Sequence, residues 1–296
     1  MRISEIVNNF DTYLSVERNL AERTRKEYKQ ELRKFVEYII HSSGTEPAIV
    51  RIDTQIIRQY LYHLQLEHEY KAASLARTIV SLRTFFKYCV QEKLVQSNPL
   101  SIISNPKMPK KLPIYLINSE LQKLFSAPDQ TNIMGIRDFA ILTMLSFTGI
   151  RLNELVNTTL KDLDLERETL KVLGKGSKER LVPLNKIVTN SIKAYLERRP
   201  ISDSEAIFLN KFGTRLSGRS VENIVKKYVR LSGINKSKIS PHKLRHTFAT
   251  LLHMKEVDII EIQKLLGHAS ITSTQIYTHT NPEKLKRAVD KLENLE

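Results

Sequence analysis

Four prolines between Asn98 and Pro113 (Pro99, Pro106, Pro109 and Pro113) divide this chain more sharply than any other feature. Each removes a backbone donor and pushes the residue before it out of the helical region, so the stretch predicts an extended connection. Lys107, Lys110 and Lys111 make it basic as well. At 296 residues the chain exceeds the usual single-domain size, and each side of the break is long enough to bury its own core. The expected organisation is a first domain over 1–97, a linker over 98–113 and a second domain over 114–296.

Before the linker, apolar residues recur at helical spacing over Ile3 to Leu14, Tyr28 to Ile40, Ile56 to Leu66 and Ala72 to Val90. Four helices fit, and no strand is needed. Thr24 or a neighbour is placed to cap the second helix, and SGTEP from Ser43 and HEYK from His68 supply breaks. Arg23, Arg25, Lys26, Lys29, Arg33 and Lys34 crowd the second helix, and Arg77, Arg83 and Lys87 run along the fourth. These rows either face a polyanion or form an ordinary solvated helix surface.

After the linker the pattern is mixed. Asn118 or Ser119 is placed to cap a helix, an apolar helix runs through Phe139 to Phe147, and a glycine break precedes a helix from Arg151. Thr169 to Leu173 and Arg180 to Pro183 flank GKGSKE and predict a β-hairpin with a cationic tip, after which helices resume from Lys186. The expected fold is mainly α with a small antiparallel β-sheet: an all-α first domain and a helical second domain carrying the sheet.

Charge narrows the partner. Forty-seven Lys plus Arg against 32 Asp plus Glu gives +15, which favours a polyanion, nucleic acid foremost, although net charge alone also suits a ribosomal or membrane-surface protein. No apolar run approaches the roughly 18 residues of a membrane span, and MRISEIVNNFDTYL lacks the apolar core of a signal peptide. A single cysteine, Cys89, allows neither an intrachain disulfide nor a Cys-rich zinc site. The expected location is the cytoplasm, associated with the nucleoid.

Four segments concentrate chemistry. In FTGIRLNEL a glycine turn presents Arg151 at a helix start, where its planar fork and the free backbone N–H groups suit a phosphate; pairing with Glu154 is the structural alternative. KVLGKGSKERLVPL sets Lys175 between two glycines at the hairpin tip, suited to a general acid or to a plain solvated turn. In ISPHKLRHTFAT, His242 and Arg245 are three apart and share a helical face after the Ser240-Pro241 start, whereas His246 points elsewhere, as a packing histidine, and Phe248, Leu251 and Leu252 suit a core. LLGHASITSTQIYTHTNPEKL places His268 after a glycine and Tyr277 beyond it; taken singly, such a tyrosine is usually core.

Taken in order, Arg151, Lys175, His242, Arg245, His268 and Tyr277 resemble the catalytic set of the tyrosine recombinase (phage integrase) family. SPHKLRHTFAT, LLGHASITSTQIYTH, GKGSKERLVPL and TGIRLNEL are similar to the boxes of its Xer branch. NLAERTRKEYKQELRKF and YKAASLARTIVSLRTFFKY resemble that branch's core-binding helices, so the likeness runs through nearly the whole chain.

The resemblance implies a site-specific recombinase whose two domains clamp DNA and whose Tyr277 forms a 3′-phosphotyrosyl intermediate on the way to a Holliday junction. It implies that Arg151 and Arg245 hold the phosphate, that Lys175 is the acid, and that His242 and His268 assist, without a metal or other cofactor. The implied partners are double-stranded DNA with a short inverted-repeat core site, further copies of this chain in a homo-tetramer on two DNA sites or a second recombinase in a hetero-tetramer, and an accessory or septum-associated activator. The final stretch, with Leu285, Val289, Leu292 and Leu295 at helical spacing, would dock on a neighbouring protomer or on its own domain. With the first domain predicted to start almost at residue 1, an additional arm-binding module is not expected. Chromosome or plasmid dimer resolution is the expected role; a mobile-element integrase, a type IB topoisomerase-like enzyme and a non-catalytic DNA-binding regulator are the alternatives.

Overall fold

The computed structural model describes residues 1–107, 114–174, 179–236 and 238–267. The chain divides into two compact units, Met1–Lys111 and Leu112–Glu296. Among the described residues no helix is long and apolar enough to cross a membrane.

Among its described residues the first unit contains four α-helices: α1 (Ile3–Val16), α2 (Glu22–Ser43), α3 (Thr54–Leu66) and α4 (Ala72–Gln91), with a short 3₁₀ turn over Ile49–Arg51. Each buries one stripe, and the stripes meet in a core that includes Phe10, Leu32, Phe35, Tyr60, Leu82, Phe85 and Phe86. Phe10 meets Phe85 edge to face at a centroid distance of 5.2 Å, and burial of each such ring contributes about 1.5–3 kcal/mol. Helix α2 starts earlier than its apolar pattern suggests: its cap position is Ala21, and Thr24 lies inside the first turn. It ends at Gly44, whose φ of 78° reverses the chain and lets its amide return to the carbonyl of Ile40 at 2.8 Å.

The proline-rich stretch begins as packed structure. Leu100 is fully buried in the first unit's core. Thr54 donates to the Pro99 carbonyl at 2.8 Å, and Asn98 donates through Nδ2 to the Arg83 carbonyl at 3.0 Å. Arg83, read as one of a cationic row, spends its guanidinium on the Ile103 carbonyl at 2.5 Å. Helix α4 ends at Gln91, ahead of the first of these prolines, and these side chains hold the residues that follow against α3 and α4.

The second unit is built around α6 (Ile133–Phe147), which is buried on almost every side. Asn132 caps it by accepting from the Gly135 amide at 2.9 Å. Its one buried guanidinium, Arg137, is matched by Asp138 and the Leu209 carbonyl, and Tyr228 donates to the other Asp138 oxygen at 3.1 Å. Around α6 lie α5 (Asn118–Ser126), α8 (Lys186–Leu196), α9 (Gly218–Leu231) and α10 (Pro241–Met254). The cap of α5 is Ile117 rather than Asn118 or Ser119; its amide is held by the Glu120 carboxylate at 2.9 Å.

The sheet has three antiparallel strands in the order β1 (Leu163–Asp164), β2 (Thr169–Leu173) and β3 (Glu179–Pro183). The hairpin expected around GKGSKE is present as the β2–β3 pair, with Val172 opposite Arg180 and Leu173 opposite Glu179. The short β1 is an addition, too brief to leave an alternating pattern. The architecture is therefore mainly helical with a small antiparallel sheet.

Candidate active site

The site is organised by the turn after α6. Thr148 ends that helix, with its hydroxyl on the Met144 carbonyl at 2.7 Å, and Gly149 follows with φ of 63°. A Cβ at Gly149 would stand 2.6 Å from Phe248 Cδ1 and 2.9 Å from Leu266 Cδ2, so both the backbone and the packing demand glycine. Arg151 is then extended, at φ −77° and ψ 152°, as the cap residue of α7 (Leu152–Asn157).

Three donors of Arg151 are engaged. Its amide donates to Glu154 Oε2 at 2.8 Å, its Nη1 to Glu154 Oε1 at 2.8 Å and its Nη2 to the Gly267 carbonyl at 3.0 Å. The Glu154 ion pair weighed from sequence as a structural alternative is thus present, and it orients an arginine whose side chain stays 33% exposed.

Glu154 is shared. Arg180, on β3, donates Nη1 to Oε1 at 2.7 Å and Nη2 to Oε2 at 2.9 Å. Burial raises the pKa of this carboxyl, yet the hydrogen bonds from Arg180 and from the amide and side chain of Arg151 outweigh it and hold the group at about 2. Glu154 is therefore ionised throughout the working range. Two guanidiniums on one carboxylate leave a net positive charge, held by groups that cannot deprotonate.

Arg245 completes the arrangement from α10, which starts at Ser240 with Pro241 in its first turn. Its guanidinium is buried and donates Nη1 to the Gly149 carbonyl and Nη2 to the Leu266 carbonyl at 2.6 Å. Leu266 is the last residue of α11 (Ile259–Leu266), and Gly267 caps that helix with φ of 61°. The last carbonyls of a helix lack intrahelical partners and form its negative end, which two cations satisfy here. Arg151 and Arg245 thus grip consecutive carbonyls, Gly267 and Leu266, from two different helices. Such forked donors can also receive a tetrahedral or bipyramidal anion.

His242 lies on the same helix, three residues before Arg245, and is exposed, whereas Arg245 is buried. His246 is buried; burial, with the Lys243 charge nearby, lowers its pKa to about 4, so it is neutral at neutral pH. Lys175, His268 and Tyr277, and the whole stretch from 268 to 296, lie outside the described residues.

Arg180 is the residue that sequence reasoning missed. A signal existed: it alternates with buried Val182 on β3 while Leu181 points outward, and a charge at an inward strand position implies a partner. The cationic rows of the first unit prove heterogeneous. Arg25 and Lys29 both reach Asp11 on α1, at 3.1 and 2.8 Å, and Lys26 pairs with Glu22 at 2.7 Å. Arg33, Arg77 and Lys87 remain exposed.

Comparison with known proteins places both halves. The phage integrase family matches residues 115–284, and the phage integrase N-terminal SAM-like domain matches residues 7–93. The tyrosine recombinase XerC of Pelotomaculum thermopropionicum is 39% identical over 297 residues, covering 96% of each chain. The tyrosine recombinase XerD of Listeria monocytogenes is 37% identical, covering 96% of this chain and 97% of that one. Among solved structures, the XerH site-specific recombinase bound to palindromic difH substrate, a post-cleavage complex, aligns with a TM-score of 0.76 at 26% identity, over 98% of this chain and 85% of that one.

Proposed function

The chain belongs to the phage integrase family as an Xer-type site-specific tyrosine recombinase, and from that premise we propose the roles of its residues, beginning with Arg151 and Arg245 as the clamp on a scissile DNA phosphate. The observation that carries this reading is their convergence on the end of α11 from separate helices. Their forks face the two nonbridging oxygens and stabilise the charge that gathers there in the bipyramidal transition state, a kind of contact whose loss costs about 10²–10³ in rate per donor.

Tyr277 is the nucleophile. Its oxygen forms the new bond to phosphorus, the bond to the 5′ oxygen breaks, and a 3′-phosphotyrosyl link remains. Lys175 gives a proton to the leaving 5′ oxygen, and a histidine, His242 or His268, receives the tyrosine proton. One phosphodiester is exchanged for another, so the link can be reversed by a 5′ hydroxyl from a second duplex, which produces a Holliday junction. Buried, neutral His246 supports α10 rather than the chemistry.

The DNA partner is a short duplex site with inverted half-sites. Four protomers act on two such sites, all of this chain or shared with a second recombinase, with the segment 283–296 docking on a neighbour. The enzyme works in the cytoplasm, at the nucleoid, on chromosome or plasmid dimers and under an accessory or septum-associated activator.

The test is topological. Genomic fragments retained by the purified protein define its site, and a supercoiled plasmid with two direct copies should be resolved into two circles. Relaxation of a plasmid lacking the site would instead favour topoisomerase-like action and overturn the proposal.

A further inference from the structure

The hydrogen bonds around Glu154 reach beyond the clamp itself. A carboxylate has about four lone-pair positions, and all four are filled here: Oε1 by Arg151 Nη1 and Arg180 Nη1, Oε2 by the Arg151 amide and Arg180 Nη2. Because Arg180 occupies one position on each oxygen, Arg151 makes a single side-chain bond to Glu154. Its other terminal nitrogen stays at the Gly267 carbonyl, beside the donors of Arg245. Without Arg180, the buried carboxylate would have Arg151 as its one remaining guanidinium, and the two-pronged geometry that arginine and carboxylate prefer would draw Arg151 off Gly267.

Arg180 is also placed to sense the hairpin. It pairs with Val172, one rung inside the Leu173–Glu179 pair that closes the described part of β2 and β3. Its Nε is buried without an acceptor among the described residues and lies against Gly267, where an added Cβ would stand 3.1 Å from it. One residue thus belongs to the strand leading from the Lys175 segment and reaches the carboxylate under Arg151 and the glycine from which the chain leaves α11.

We propose that Arg180 is a positioning residue for strand cleavage: by saturating Glu154 it holds Arg151 in its phosphate-facing pose and ties that pose to the docking of the β2–β3 hairpin. This rests on the reading of Arg151 as a phosphate clamp. In this role Arg180 acts through Glu154, to which it makes both of its side-chain hydrogen bonds among the described residues.

The experiment compares an ordinary nicked suicide duplex with one carrying an uncharged methylphosphonate at the scissile position, where a charge-neutralising arginine is no longer required. Arg151→Ala should slow covalent adduct formation strongly on the phosphodiester and little on the methylphosphonate. Arg180→Met should repeat that pattern more mildly, about 10- to 100-fold on the phosphodiester, with unchanged site affinity. Arg180→Lys, which keeps the charge but not the two parallel bonds, should recover part of the loss, and it carries the test if Arg180→Met does not fold. Equal slowing of both substrates by the Arg180 variants, or no slowing of either, beside a selective Arg151→Ala would overturn the proposal alone. Equal slowing by Arg151→Ala would overturn the clamp reading beneath it.

Discussion

Arg245 donates to the carbonyl of Gly149, so the side chain of one helix is anchored to the turn that presents Arg151 at the start of another. The same guanidinium reaches the Leu266 carbonyl at 2.6 Å, which makes it a brace among α10, α11 and the α6–α7 turn as well as a cation. Lysine, a single point charge, cannot span both acceptors. Arg245→Lys should therefore lower stability by about 2–4 kcal/mol in urea titration and slow DNA cleavage by about 10²–10³.

Gly149 and Gly233 both have left-handed φ, 63° and 65°, but only Gly149 has neighbours within 4 Å of an added Cβ. Gly233→Ala should cost only the conformational penalty of about 1–2 kcal/mol. Gly149→Ala adds a collision with Phe248 and Leu266, worth a further ~1–3 kcal/mol, and displaces the carbonyl that receives Arg245. Paired thermal melts should separate the two variants, with cleavage impaired in Gly149→Ala alone.

Glu154 makes the second unit acid-sensitive. Its pKa is held at about 2 in the fold, below the ordinary value of 4.5, so it stabilises the folded state above the unfolded pKa. That stability is lost as pH falls from about 4.5 toward about 2, and amounts to roughly 3 kcal/mol. Urea midpoints measured across this window should fall in the native chain. In Glu154→Gln they should start lower and vary less with pH.

In the first unit, Thr78 donates to buried Glu31 Oε2 at 2.6 Å, and Lys34 reaches Oε1 of the same carboxylate at 3.3 Å. Thr78→Val keeps the shape and removes the donor, which should destabilise this unit by about 1–3 kcal/mol. Hydrogen exchange in α2 and α4 would report it.

What could be read from the sequence and what could not divide along the distance between partners. The start of α10 was legible because Ser240-Pro241 is a local signal, and the β2–β3 hairpin because alternation and glycine act over a few residues. The Arg151–Glu154 pair is three residues apart and was visible as an alternative. Arg180 is 26 residues from Glu154, and Arg245 is 96 from Gly149; periodicity carries no information about such meetings. The same holds for Arg25 and Lys29, whose partner Asp11 lies on another helix. Two other helix starts were missed for a different reason: the side chains of the cap residues Ala21 and Ile117 cannot accept an amide, so the preference for Ser, Thr or Asn pointed to Thr24, Asn118 or Ser119 instead.

The most direct test of the chemistry is to trap the protein on a nicked suicide duplex carrying its site, digest with nuclease and protease, and sequence the modified peptide by mass spectrometry. The account predicts a nucleotide joined through its 3′ phosphate to the peptide at Tyr277, and no such peptide from Tyr277→Phe. A nucleotide on another residue, or an adduct that survives Tyr277→Phe, would contradict it.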